Sequence, residues 1–237
     1  MSAPIAVALD APDAATVIGW ARAVGPVVST VKIGLETYLR DGAPAVAAAR
    51  EAAGSDTGIF LDLKLHDIPA TVAGASRSIA GLHPDFLTVH ASGGPAMIEA
   101  AAMTLPETRI TAVTVLTSLG ESDLRALGLL SGTEDVVDVV RRWAVQAVEA
   151  GARAIVCSPR EVAAVRDVVD DDITLITPGV RPAGSDAGDQ QRIATPRQAI
   201  EAGADLLVIG RPITAASDPR AAAERIAREC LGVAEDT

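Results

Sequence analysis

The stretch Phe60-Leu61-Asp62-Leu63-Lys64-Leu65-His66-Asp67-Ile68-Pro69 gathers two acids, a lysine and a histidine into one short run. It begins as an apolar strand, on which side chains alternate between two faces. Phe60, Asp62 and Lys64 therefore share one face, and Leu61 and Leu63 the other. Leucines behind and an Asp-Lys pair in front describe charge buried with a partner, because an unpaired buried ion is costly. Pro69 stops the strand and suits the first turn of a helix, leaving Asp67 at the mouth of the turn. Asp62 and Lys64 alone fit a structural ion pair equally well. With Asp67 and with Lys32 near the end of an earlier strand, they form an alternating array of two lysines and two aspartates. Such an array keeps its members ionised and fixed, an environment that stabilises charge developing in a reaction.

The elements that must carry these residues alternate along the whole chain. Apolar strands start near Ile5, Thr30, Gly58, Phe86, Arg109, Ala154, Thr174 and Leu206, and each is followed by a segment with helix signals. Ser158-Pro159-Arg160-Glu161 and Thr195-Pro196-Arg197-Gln198 read as capping boxes with proline at the first helical position, and Asp218-Pro219 as a third such start. Thr133-Glu134 opens a helix on which Val136, Val140, Trp143 and Ala147 share a face. Glu149-Ala150-Gly151-Ala152 and Glu201-Ala202-Gly203-Ala204 repeat one pattern, a helix ending at glycine before a buried strand. No Pro-, Gly- or Ser-rich linker divides the 237 residues. The expectation is one (β/α)8 barrel domain over residues 1–237, with a doubly wound open sheet as the alternative.

Such barrels place their sites at the C-terminal strand ends. The polar residues expected there are Asp10, Lys32, Asp62, Lys64, His90, Thr117, Ser118, Ser158, Arg181, Gly210 and Arg211. Asp10 suits either a sugar hydroxyl or a turn cap. Its place on the face of the array favours a ligand. Arg181 and Arg211 lie after the seventh and eighth strands, where barrels of this kind bind phosphate, and Gly210 permits close backbone approach. The connections Leu119–Gly132 and Pro178–Ala194 are long enough to fold over a ligand. His66 and His90 sit in no metal-ligand pattern and read as structural.

Composition narrows the partners. A formal charge of −11 and few scattered aromatics argue against a nucleic-acid surface and against an anionic membrane. Cys157 and Cys230 make no disulfide framework or metal spacing. With no signal segment or long apolar run, they point to a reducing cytosol.

The chain resembles the orotidine 5′-phosphate decarboxylase family from Ala8-Leu9-Asp10 to Gly210-Arg211-Pro212-Ile213-Thr214. The residues that carry the resemblance are Asp62–Pro69, Val89-His90-Ala91-Ser92-Gly93-Gly94, Leu116-Thr117-Ser118, Thr177-Pro178-Gly179-Val180-Arg181 and Asp189-Gln190. It implies a lyase that forms UMP in pyrimidine synthesis, with neither cofactor nor metal, working as a homodimer. Lys64 would protonate C6 of the pyrimidine, Asp62 would sit beside the scissile carboxylate, and Asp67 would come from the neighbouring subunit, with Thr71 reaching the partner's ribose. Lys32 and Asp10 would hold ribose hydroxyls. Thr117 and Ser118 would meet the pyrimidine edge, Ile68 and Pro178 would line the substrate, and Gln190, Arg181, Gly210 and Arg211 would grip the phosphate. Ala70 departs from the family, which often has a polar residue there. Two other readings stay open: a Mg2+-dependent sugar-phosphate decarboxylase or aldolase of the same superfamily, and a non-catalytic nucleotide- or phosphate-binding barrel. Lys32 stands where the metal-dependent relatives tend to place an acid.

Overall fold

The computed structural model describes residues 2–181 and 194–231. Eight parallel strands pair in sequence order and close into a barrel: β1 (Ala3–Ala8), β2 (Val28–Gly34), β3 (Gly58–Leu65), β4 (Phe86–His90), β5 (Arg109–Val113), β6 (Ala154–Val156), β7 (Thr174–Thr177) and β8 (Leu206–Ile209). β1 pairs with both β2 and β8, so the open doubly wound sheet is excluded. Six strands begin where the alternation predicts. β1 and β2 start two residues earlier, at Ala3 and Val28. β1 ends at Ala8, so Asp10 lies just beyond it.

The helix starts follow their caps. Pro69 opens the helix Pro69–Ile79, and the Thr195 hydroxyl and Gln198 side chain form the predicted reciprocal box. Asp218 Oδ1 accepts from Ala221 N–H at 3.0 Å. Two starts shift. The helix Val136–Glu149 is capped by Asp135, whose carboxylate accepts from Asp138 N–H. Glu134 is diverted to the N–H and hydroxyl of Ser131 and to Arg142. At Ser158 only half the box exists: Ser158 N–H donates to Glu161 Oε2 at 2.9 Å, but the buried Ser158 hydroxyl has no hydrogen-bond partner among the described residues. The helix therefore begins at Val162, after Glu161.

Two apolar layers hold the barrel. The larger lies between the strands and the surrounding helices, where Val7, Ile33, Leu61, Leu87, Ile155 and Leu207 meet helix residues such as Val17, Val46, Val139 and Ile226. The smaller fills the barrel interior with Ala6, Phe60, Phe86, Ala154, Ile176 and Leu206. Phe60 and Phe86 pack with ring centroids 5.6 Å apart, and the Arg109 guanidinium lies 5.2 Å from the Phe86 ring centre. This plug makes a floor, and everything above it on the inward face opens toward the C-terminal strand ends. Trp20, Tyr38 and Trp143 pack against the outer layer, as packing aromatics should. Among the described residues no helix is long and apolar enough to cross a membrane.

Candidate active site

The inward faces of β2 and β3 build the centre. Their register places Lys32 beside Phe60 and Gly34 beside Asp62, so the first charged rung lies directly above the aromatic floor. Lys32 Nζ sits 3.1 Å from Asp62 Oδ2 and 3.6 Å from Asp10 Oδ2. Lys64 Nζ donates to Asp62 Oδ1 at 2.7 Å. The four groups form a chain in the order Asp10, Lys32, Asp62, Lys64. Burial pushes the Asp62 carboxyl up, but the charges and hydrogen bonds of Lys32 and Lys64 outweigh it and hold the group at about 2. The two lysines differ in setting. The Lys32 side chain is 7% exposed and locked between two carboxylates, while that of Lys64 is 31% exposed and has one carboxylate. Lys64 is thus the ammonium with a free side toward the cavity.

Two small features make this geometry possible. Gly34 has an ordinary negative φ, so its reason is space: a Cβ there would come 2.3 Å from Asp10 Oδ1 and 3.1 Å from Lys32 Nζ. Lys64 adopts a left-handed backbone with φ 48°, which costs a non-glycine residue about 1–2 kcal/mol. Here β3 departs from regular pairing with β4, since Leu61 pairs with Leu87 and Leu65 with Val89. Thr88, fully buried, meets the gap. Its hydroxyl accepts from Lys64 N–H at 2.8 Å and donates to Asp62 Oδ1 at 3.1 Å. Neither Gly34 nor Thr88 stands out in the sequence. The one signal for Thr88 is a polar residue set between the apolar Leu87 and Val89 on a buried strand.

A cavity of about 350 Å³ opens above the array, within the size range of small-ligand sites. Asp10, Lys32, Asp62 and Lys64 line one side, and Pro178, Gly179, Val180, Arg181, Gly210 and Arg211 the other, with Thr117 and Cys157 between them. Pairing of Val180 with Ala194 clips together the base of the connection after β7, and Arg181 N–H donates to Ala194 O at 3.0 Å. The buried Arg181 Nε has no hydrogen-bond partner among the described residues. Gln190 lies outside the described residues. The connection after β5 contains a short helix, Glu121–Ala126.

Not every expected residue meets the cavity within one chain. Ser118 and Ser158 are absent from its lining; Ser118 is exposed, and Ser158 is buried behind Cys157 in sequence. Alternation along β6, with Ala154 inward and Ile155 outward, would turn Ser158 inward, but the strand ends at Val156 and the cavity is lined by Val156 and Cys157 instead. Asp67, Ile68 and Thr71 are all exposed, and Asp67 Oδ1 accepts from Ile68 N–H at 2.6 Å. Ala70 lies exposed in the first turn of its helix. His90 packs against His66 with ring centroids 5.4 Å apart and planes tilted by 45°, outside the cavity lining. Burial, then the neighbouring His66 and Lys64, lowers its pKa and favours the neutral ring. Among the described residues no cluster of three or more His, Cys, Asp or Glu side chains could hold a metal ion.

A closed parallel barrel with its charged groups gathered in a cavity at the C-terminal strand ends defines a (β/α)8 barrel of the enzyme type. The chain belongs to the orotidine 5′-phosphate decarboxylase / HUMPS family, whose model matches residues 3–226. It is 65% identical over 229 residues to an orotidine 5′-phosphate decarboxylase of Thermobifida fusca, covering 97% of this chain and 96% of the relative. A Frankia casuarinae protein of the same name is 56% identical, covering 95% and 86%. Among solved structures, orotidine 5′-phosphate decarboxylase from Lactobacillus acidophilus superposes with a TM-score of 0.81 at 34% identity, covering 97% of this chain and 99% of that one.

Proposed function

We propose that this chain decarboxylates orotidine 5′-phosphate to UMP as a single barrel domain, with Lys64 as the proton donor. The observation that carries the reading is the Asp10, Lys32, Asp62, Lys64 chain on one side of a cavity whose other side holds Arg181 and Arg211. The C6–carboxylate bond breaks, CO2 leaves, and the electron pair stays at C6, where the ring delocalises it poorly. A proton from Lys64 Nζ then forms the new C6–H bond, and solvent restores the ammonium. No electron acceptor is needed in this sequence.

Fixed charge at C6 is the first requirement. Two unit charges ~4 Å apart interact by roughly 4 kcal/mol at an effective dielectric of ~20. The rest of the barrier must be met by an array already in place and by binding energy from the remote phosphate, used to close the site and exclude water. Asp62 sits beside the substrate carboxylate. Asp10 and Lys32 hold the ribose hydroxyls, and Thr117 and Ser118 the pyrimidine edge. Pro178, Arg181, Gly210 and Arg211 take the phosphate, with Gln190 joining them from the connection after β7.

The partner is a second copy of this chain. Ile68, an apolar side chain 66% exposed, stands between Asp67 and Thr71 in sequence, and none of the three lines the cavity of its own chain. In the dimer Asp67 and Thr71 enter the neighbour's site and Ile68 is covered. A cytosolic setting agrees with two cysteines that are both buried.

The test is an absorbance assay for loss of orotidine 5′-phosphate, with and without chelator. Turnover unaffected by chelator is the expected result. Activity that disappears with EDTA and returns with Mg2+ favours the metal-dependent sugar-phosphate chemistry, and no turnover favours a binding barrel. Lys64→Ala should lower kcat by about 10⁴-fold or more, combining lost proton transfer and lost electrostatic stabilisation, while UMP still binds. Full activity of a monomer at high dilution would refute the shared site.

A further inference from the structure

We infer that Thr88 is a positioning residue for the decarboxylation, its single hydroxyl fixing both the left-handed backbone of Lys64 and the carboxylate that aims the Lys64 ammonium. The inference rests on the reading of Lys64 as proton donor.

The pairing of β3 with β4 carries the argument. Between the pairs Leu61 with Leu87 and Leu65 with Val89, the residues Asp62, Leu63 and Lys64 stand opposite Thr88 alone. Excess residues on one strand leave backbone groups out of the ladder and increase local twist. The Lys64 N–H is such a group, and it has turned from the backbone ladder to the Thr88 hydroxyl at 2.8 Å. A hydroxyl offers one proton and two lone pairs. Thr88 therefore accepts from Lys64 N–H and spends its own proton on Asp62 Oδ1, 3.1 Å away. That same oxygen receives Lys64 Nζ at 2.7 Å.

Backbone and side chain of Lys64 are thus referred to one atom of β4. This is more than an ordinary satisfied buried threonine requires, because the donor it satisfies belongs to the residue held at φ 48°. A strained conformation of this kind persists only where its surroundings over-determine it. Without the hydroxyl, Lys64 N–H would regain a partner by relaxing toward regular strand pairing. That change rotates the direction in which the side chain leaves the strand. The phosphate side of the cavity, formed after β7 and β8, has no part in this link and should be unaffected.

The experiment compares full-length wild type, Thr88→Val and Thr88→Ser for turnover of orotidine 5′-phosphate and for inhibition by UMP. Valine keeps the shape and removes the hydroxyl; serine keeps the hydroxyl. Thr88→Val should lower kcat about 10- to 100-fold, the range for a small misplacement of a reacting group. KM and UMP inhibition should stay within about threefold, as for a group acting only after binding. Thr88→Ser should recover most of the lost kcat. A merely structural threonine would instead change stability and leave the split between kcat and KM untouched. Wild-type kcat in Thr88→Val, or a serine variant as slow as the valine variant, overturns the inference alone. Should Thr88→Val not fold, Thr88→Ser against Thr88→Ala makes the same comparison, and equal kcat values overturn it. A wild-type chain that leaves orotidine 5′-phosphate unchanged overturns the underlying reading and this inference with it.

Discussion

The two ends of the barrel both spend carboxylates on the strands, to different purposes. At the N-terminal end Asp85 and Asp205 stand immediately before β4 and β8. Asp85 Oδ2 accepts from Ile59 N–H and Asp205 Oδ2 from Leu175 N–H, each at 2.7 Å. Their own backbone N–H groups donate back to the carbonyls of the same two residues at 2.9 Å. One device is thus used twice, between β3 and β4 and between β7 and β8, to close the start of a strand. At the C-terminal end Asp62 takes no backbone donor among the described residues. Its oxygens face Lys32, Lys64 and the Thr88 hydroxyl. The lower carboxylates satisfy the scaffold, whereas the upper ones hold ammonium groups where a ligand can reach one of them. A substitution below should therefore change stability, and one above should change chemistry.

Gly34→Ala offers the largest departure between the two. Its Cβ, 2.3 Å from Asp10 Oδ1, must drive Asp10 away from Lys32. The half-exposed Asp10 has solvent to swing into, so the chain should fold with a near-normal thermal midpoint. A fall in kcat/KM of roughly 10- to 100-fold is expected from the disturbed array. Steady-state kinetics beside a melting curve decide it, and a well-folded variant with wild-type kcat/KM would show that Asp10 contributes nothing.

Acid titration tests whether the upper carboxylate also stabilises the fold. Asp62 is held at about 2 in the folded chain against an ordinary 3.8. Because the folded value is the lower one, its contribution is complete above about pH 4 and is lost as pH falls toward 2. The loss is on the order of 2 kcal/mol. Denaturant unfolding of wild type and Asp62→Asn across pH 2–5 should give stabilities that converge as the solution becomes more acid. A difference independent of pH would mean that the lysines do not hold the carboxylate ionised.

Asp205→Asn should have the smallest effect on the reaction. It weakens the bonds to Leu175 N–H and to Arg166, the latter at 2.6 Å. About 1–2 kcal/mol of stability should be lost, with kcat unchanged. A variant of normal stability but reduced kcat would remove the distinction between the two ends.

Much of this architecture is legible in the residues. Six strand starts, the Thr195 and Asp218 caps and the Pro69 stop depend on neighbours within a few positions, where backbone preference and local hydrogen bonds decide. The same locality explains the two shifted helix starts. Asp135 competes with Thr133 for one helix and captures it through Asp138. At Ser158 the turn residues Pro159 to Glu161 intervene before the helix. The shared face of Asp62 and Lys64 was also readable, because a strand has a fixed period of two. It survives the irregular backbone at Lys64, where both side chains still line the cavity. Ser118 and Ser158 were picked as polar residues near strand ends, but proximity to an end does not say which way a side chain points.

What the sequence by itself determined was the alternation of strands and helices, the closed barrel it favours, and the charged face of β3. Only the tertiary structure decided that Asp10, rather than Asp67 of the same chain, completes the row with Lys32, Asp62 and Lys64. It alone decided that Gly34 must lack a side chain and that Thr88 holds Lys64 in place. Those contacts join strands that are far apart in sequence. They depend on register and barrel closure, and a residue's local preferences carry no information about which distant residue will be set against it.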